Sequence, residues 1–236
     1  MTVTFVTAFL HLFEDRSSIR SPDIYINHFK TLASTGIPIY LFLSNMFRDD
    51  YERICGDMPN VQIEFIELYE FEAYTALENI DVPLPSNRCH KKDTRNYLIT
   101  MNTKLECLHR AMVTNTSHYA WIDFGIKHVL SDAALPQIQR ISNTDFGLSL
   151  IMPGCWDKCS VFFDRIHWRF CGGFFLGDKE SIESFYQVSK ELWEDTCMTY
   201  GLTWEVNYWA YLEGRGFIHP VWYPGDHNDT IIHVPQ

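Results

Sequence analysis

Asp123 closes an uninterrupted apolar run, Tyr119-Ala120-Trp121-Ile122, and is followed by Phe124 and Gly125. Such a run reads as a buried strand, and open α/β sheets bind ligands beyond the carboxyl ends of their strands. A carboxylate at that point is placed to hold Mg2+ or Mn2+ through hard oxygen ligands. It would thereby offset a departing diphosphate, such as that of a nucleotide-sugar donor. Gly125 would let the backbone come close to the same ligand. The alternative for Asp123 is structural, a cap on the turn that follows the strand. Asp-Phe-Gly also occurs in protein kinases, but the chain has no GxGxxG loop, no HRD catalytic loop and no APE, which excludes that chemistry. The second copy, Asp145-Phe146-Gly147, follows Asn143-Thr144 and reads as a turn.

Other residue types add to this centre. Gly172 and Gly173 interrupt the bulky stretch Arg169 to Leu176, either as a bulge or where a ligand approaches closely. In Thr203-Trp204-Glu205-Val206-Asn207, Glu205 falls in the first turn of a helix. The helix dipole alone favours an acid there; the functional alternative is a base for, or an acceptor from, the hydroxyl that receives a sugar. Gly225-Asp226-His227-Asn228-Asp229 is dense in metal and phosphate ligands, His227 foremost, and also reads as a solvated turn. Arg88, His90, Lys91, Lys92 and Arg95 form the one concentrated basic stretch, a solvated loop or a loop that closes over an anion. Trp156, Trp168, Trp204 and Trp222 belong to an aromatic content of 15%; such rings suit sugar faces as well as packing.

The elements that must carry these residues alternate. Thr2 to Leu10 reads as a first strand, and Ser21-Pro22-Asp23 as a helix start with Ser as N-cap. Helical spacing of Tyr25, His28, Phe29 and Leu32 ends at Gly36. Strands at Ile37 to Ser44 and Val61 to Leu68 flank a helix near Asp49 to Ile54. One long helix is expected through Leu98, Met101, Leu105, Leu108 and Met112. Strands follow at Tyr119 to Ile122, Gly147 to Met152 and Phe170 to Leu176, then a helix capped by Asp178. A helix over Trp204 to Leu212 and a strand over Ile218 to Tyr223 complete the chain. This alternation predicts a mixed, mostly parallel α/β sheet flanked by helices, in a single domain over residues 1–236.

The bulk properties agree. The 236 residues are 46% hydrophobic and 21% charged, enough for a substantial core. A net charge of −11 argues against nucleic-acid binding, which requires a basic face. The seven cysteines include no CxxC pair, so reduced packed thiols are expected; Cys155 and Cys159 are close enough in sequence for a metal site. No run reaches the roughly 18–20 apolar residues of a membrane span, and the apolar opening lacks a basic leader region. A cytoplasmic location is the expectation.

In order and spacing, four stretches resemble the WlaTC/HtrL (YibB-type) family of glycosyltransferases. They are Phe5 to Phe9, Met101-Asn102-Thr103-Lys104-Leu105-Glu106, Trp121 to Gly125, and Cys171-Gly172-Gly173-Phe174-Phe175, with Trp204 to Asn207 extending the match. The resemblance implies a GT-A, Rossmann-like fold, a nucleotide-sugar donor, a divalent metal (Mn2+ or Mg2+), and a glycan or glycoconjugate acceptor. It places Asp123 at the donor and metal, Asn102 and Lys104 facing the donor with Lys104 as phosphate counter-charge, and Gly172 and Gly173 beside the sugar. Glu205 falls at the acidic position facing the sugar or acceptor. GT-A enzymes carry a DxD motif, whereas the third position here is Gly125, which puts two-carboxylate coordination in doubt; a single carboxylate assisted by His227, or by cations such as Lys104, could serve instead. Two alternatives stay open: a nucleotidyltransferase, and a non-catalytic sugar- or nucleotide-binding domain.

Overall fold

The computed structural model describes residues 2–12, 22–56 and 58–235. Seven strands form one sheet: β1 (Val3–Phe9), β2 (Ile39–Leu43), β3 (Val61–Phe65), β4 (His118–Ile122), β5 (Leu150–Gly154), β6 (Phe174–Asp178) and β7 (Val221–Pro224). Eight α-helices accompany them among the described residues: α1 (Pro22–Ala33), α2 (Tyr51–Cys55), α3 (Glu72–Thr75), α4 (Arg95–Asn102), α5 (Lys104–Arg110), α6 (Leu135–Ser142), α7 (Lys179–Tyr200) and α8 (Glu205–Gly214). Ser21, the expected N-cap of α1, lies outside the described residues. The sheet order is β3-β2-β1-β4-β6-β5-β7, and only β6 runs against the others. This is the expected mixed, mostly parallel α/β sheet flanked by helices.

Side-chain alternation divides the core into two layers. Val6, Tyr40 and Phe42 face α4, α5, α7 and α8. Their strand neighbours Phe5, Ile39, Leu41 and Leu43 face α1, α2 and α6. Both sheet faces are therefore covered, and the strands read as continuous apolar runs. No helix among the described residues is long and apolar enough to cross a membrane.

The topology creates a switch point. From β1 the chain builds outward through β2 to β3, then returns to place β4 on the other side of β1. The order reverses between β1 and β4, and it is beyond the carboxyl ends of the strands at such a point that open α/β sheets form a ligand crevice. Asp123 follows the last residue of β4 and stands at this point. Because β6 is antiparallel, its first residue pairs with the last of β4, Phe174 with Ile122. The segment leading into β6 therefore arrives at the same edge.

Three expectations are corrected. The helix predicted through Leu98 to Met112 is broken at Thr103, whose hydroxyl donates to the Thr100 carbonyl at 2.8 Å. The strand predicted over Phe170 to Leu176 begins at Phe174, so Gly172 and Gly173 lie in the turn before it. The strand predicted from Gly147 begins at Leu150. Gly147 is left-handed at φ 66° and donates its N–H to Asp145 Oδ1, which is the turn expected there.

Candidate active site

Lys104 is the first residue of α5 and only 1% exposed. Burying an ammonium requires that all three N–H groups be met. They are: Nζ donates to the Gly172 carbonyl and to Glu205 Oε1, each at 2.8 Å, and lies 3.2 Å from Asp123 Oδ1. Burial disfavours the charged form, but the two carboxylates outweigh it and raise the lysine pKa. The ammonium also lies 5.4 Å from the centroid of the Trp121 ring. The break at Thr103 turns Lys104 inward here, at a helix start where the dipole opposes a cation. The two acids and the Gly172 carbonyl compensate.

Each acid is held by a different element. Asp123 Oδ1 accepts from Trp121 Nε1 at 2.7 Å, and the Asp123 amide donates to the Gly173 carbonyl at 2.9 Å. Its side chain is 41% exposed, and Oδ2 makes no hydrogen bond among the described residues. Glu205 is the first residue of α8 and 6% exposed. Two acids against one ammonium leave a net negative charge, and Asp123 is its more exposed member.

The glycines have specific steric reasons. A β-carbon on Gly172 would sit 2.1 Å from Glu205 Oε1 and 3.2 Å from Lys104 Nζ. Only glycine lets this turn press against the Lys104–Glu205 pair. We predict that Gly172→Ala will destabilise the protein by about 2 kcal/mol through overpacking, measured by urea denaturation; an unchanged midpoint would refute this. A β-carbon on Gly173 would come within 3.2 to 3.5 Å of Ile126, Ile231 and Asp123 Oδ2. At Gly125 the close approach is to the Tyr25 ring, which a β-carbon would meet at 2.5 Å. The space that Gly125 was expected to leave for a ligand is thus filled by Tyr25.

Asn102 takes another part. Its Nδ2 donates to the Leu98 and Thr203 carbonyls at 2.8 and 3.0 Å, clipping the end of α4 to the start of α8. It lines a cavity of about 410 Å3 with Glu72, Glu106, Tyr186 and Trp193, away from Asp123. Asn207, in the same stretch as Glu205, is fully buried and satisfied. Its amide donates to the Phe162 and Arg165 carbonyls, with the Thr203 hydroxyl also 2.9 Å from that nitrogen, and its oxygen accepts from the His167 amide. Asn207→Leu should cost roughly 2–3 kcal/mol by stranding these groups. Thermal denaturation would check it, and a melting temperature equal to wild type would contradict it.

His227 is exposed and is not joined to Asp123 by any contact among the described residues. It stands edge-on to Trp168, ring centroids 4.6 Å apart, with Nδ1 3.3 Å from Asp226 Oδ1. Cys155 approaches Cys171 rather than Cys159, with sulfurs 3.5 Å apart.

Sequence reasoning missed two site residues. Trp121 is two positions before Asp123 on an extended strand, so both side chains leave on one side of the sheet; that spacing was there to be read. Tyr97, half-buried in α4, has its phenol pKa raised by burial and by the nearby Glu205 and Asp123 carboxylates. It stays protonated beside them. Lys92, from the basic stretch, is exposed and lies 4.9 Å from the Tyr97 ring centroid.

No family model matches the chain, and no curated protein matches it. Among solved structures, mouse xyloside xylosyltransferase 1 is similar at 9% identity and a TM-score of 0.46, over 94% of this chain and 84% of that one. A cytidylyltransferase from Leptospira borgpetersenii is similar at 10% identity and a TM-score of 0.49, over 98% and 79%. A manganese complex of Rv0371C from Mycobacterium tuberculosis is similar at 10% identity and a TM-score of 0.44, over 96% and 90%. Similarity at this level concerns the path of the backbone and assigns no reaction.

Proposed function

We propose that the chain is a glycosyltransferase of the WlaTC/HtrL type, binding a nucleotide-sugar donor above β1 and β4 and passing the sugar to a glycan acceptor. The observation that carries this is the presentation of Asp123 at the switch point: Oδ1 is fixed by Trp121 and the buried Lys104, while Oδ2 has no hydrogen bond among the described residues and the side chain is 41% exposed. The fixed orientation is what a donor site needs, since positioning reduces the entropy lost on reaction. Sugar transfer, rather than another use of this site, is supported by the resemblance in the four sequence stretches.

A divalent ion fits this site in one way. Among the described residues Asp123 belongs to no cluster of three or more His, Cys, Asp or Glu ligands, so Asp123 Oδ2 would supply one hard oxygen and the donor diphosphate the others, as Mg2+ commonly requires. When bound, such an ion supplies charge compensation to the departing diphosphate. The chain's own residues do the rest. Tyr97 offers a neutral hydroxyl, and Lys92 an exposed cation near its ring. Lys104 has no N–H left for a phosphate, so its role is to position Asp123. Glu205, buried on Lys104, holds that ammonium in place and is assigned to positioning as well, in place of the base suggested by its sequence position.

A thermal-shift screen of UDP-, GDP-, CMP- and dTDP-sugars, with and without Mn2+, tests the reading. A donor at 100 times its dissociation constant should add about 2.7 kcal/mol of stability. The products then decide the reaction. Release of nucleoside diphosphate supports glycosyl transfer, and release of pyrophosphate would establish the nucleotidyltransferase instead. Binding without either product would leave a binding domain, and no response to any donor would refute the donor site.

A further inference from the structure

Beyond the donor site, and independent of it, three backbone segments are clipped together at the carboxyl ends of β5 and β7. The Gly225 amide donates to the Gly154 carbonyl at 2.9 Å, the Cys171 amide to the Pro153 carbonyl at 2.8 Å, and the Cys155 amide to the Trp168 carbonyl at 3.1 Å. The packing is tight enough that a β-carbon on Gly154 would lie 1.8 Å from the Arg169 carbonyl oxygen. This arrangement gathers Cys155, Cys171 and His227, residues far apart in sequence.

At the junction, Cys155 Sγ, Cys171 Sγ and a ring nitrogen of His227 all lie within 4.8 Å of one another. The two sulfurs are 3.5 Å apart. Zinc–sulfur bonds of about 2.3 Å in a tetrahedron hold their sulfurs roughly 3.8 Å apart, so a small adjustment accommodates the ion. Asp226 Oδ1 lies 3.5 Å from Cys155 Sγ and 3.3 Å from His227 Nδ1. A carboxylate thus adjoins two of the three ligands, as in sites where an outer carboxylate orients a metal-bound imidazole. Trp168 packs edge-on to the His227 ring and limits its rotation. Cys171 is buried while Cys155 and His227 are exposed, so the cluster has an anchored floor and an open approach.

We propose that Cys155, Cys171 and His227 form a binding site for a soft or borderline divalent cation of the zinc class. Two thiolates and one imidazole select against Mg2+ and Ca2+, which prefer oxygen. On binding, each thiol forms a sulfur–metal bond and releases its proton to solvent, so two protons leave per ion and affinity rises with pH. The site is chemically distinct from the oxygen ligand at Asp123. It adjoins the buried triad through the chain, because Cys171 precedes Gly172, whose carbonyl accepts from Lys104. An ion here would stiffen that turn.

The test uses the full chain, reduced with a non-thiol phosphine and free of nucleotide. Zn2+ retained after gel filtration is measured by elemental analysis, and Co2+ substitution is followed by its absorption. One zinc per chain is expected, together with a near-ultraviolet thiolate-to-cobalt charge-transfer band and the intense visible bands of a tetrahedral ion. Cys155→Ser and His227→Ala, both at exposed positions, should each weaken affinity at least about tenfold, by analogy with the losses seen when metal-site partners are removed. Circular dichroism confirms that each variant is folded. Cys159→Ser, outside the cluster, should bind as wild type. Absence of the charge-transfer band, or equal zinc retention by Cys155→Ser and wild type, would overturn the proposal. So would a reduced protein that binds no zinc and forms only a Cys155–Cys171 disulfide in air. None of these readouts depends on a sugar donor.

Discussion

Replacing Lys104 by Met is expected to destabilise the protein by about 3–5 kcal/mol, the range for removing one partner of a buried ion pair. The cost arises from what is left behind. Glu205 would remain 6% exposed and lose its cation, whereas Asp123, 41% exposed on its side chain, can be rehydrated. A buried carboxylate without a partner must either bear its desolvation cost or take up a proton. Lys104→Met/Glu205→Gln should therefore recover much of the loss, because neither member is then left charged. Urea denaturation of the single and double variants measures this directly. A loss below about 1 kcal/mol in the single variant, well under the buried-pair range, or no recovery in the double, would show that the three side chains are not coupled as described.

The same pair predicts a pH dependence. The Lys104 pKa is raised on folding by Asp123 and Glu205 in spite of burial, from an ordinary value of 10.5. A raised lysine pKa means that the folded state holds the proton more tightly than the unfolded chain. Its contribution to stability is therefore complete below that ordinary value and is lost as pH rises through the higher folded value. The stability gap between wild type and Lys104→Met/Glu205→Gln, in which neither replaced side chain titrates, should stay constant through neutral and mildly alkaline pH and narrow only above that point. A gap that closes near neutrality would contradict the assignment.

The second large effect is on turnover. Asp123→Asn keeps the shape and the acceptor oxygen for Trp121 Nε1 but removes the charge at the switch point. With the donor identified by the thermal screen, kcat/KM should fall by about 10²–10³-fold, the scale of losing one preorganised electrostatic group. Stability should change little, since Asp123 is partly solvated and Glu205 still pairs with Lys104. Release of nucleoside diphosphate is the assay, and Gly172→Ala provides a contrast in which stability moves first. An Asp123→Asn protein with wild-type turnover would remove Asp123 from the mechanism.

The two effects separate scaffold from function within one cluster. Lys104 and Glu205 are a buried pair whose removal is felt in folding. Asp123 is the member that reaches the surface, and its removal is felt in binding and rate. Gly172 and Asn102 act on the same geometry from outside. Gly172 allows the turn before β6 to offer its carbonyl to Lys104, and Asn102 joins the end of α4 to the start of α8.

Some of this was open to reading in the chain alone. The run from Tyr119 to Ile122 is apolar on both faces, so it had to be a central strand, and a carboxylate directly after it had to emerge at the sheet's carboxyl edge. Asp178 had only local work to do, and its side chain does accept from the Glu180 and Ser181 amides at the start of α7. Such features depend on a few neighbouring residues. The break at Thr103 was not readable, because Leu98, Leu105 and Leu108 keep helical spacing across it, and the acids that Lys104 meets beyond the break are distant in sequence. The placement of Gly172 and Gly173 was also hidden: at Gly172, only the distance to Glu205 makes glycine necessary. Cys155, Cys171 and His227 carry no recognisable spacing, and they meet because β5, β6 and β7 align in one sheet. Local backbone preference and hydrophobic periodicity are written in consecutive residues, while burial of a charge and convergence of ligands are properties of the packed sheet.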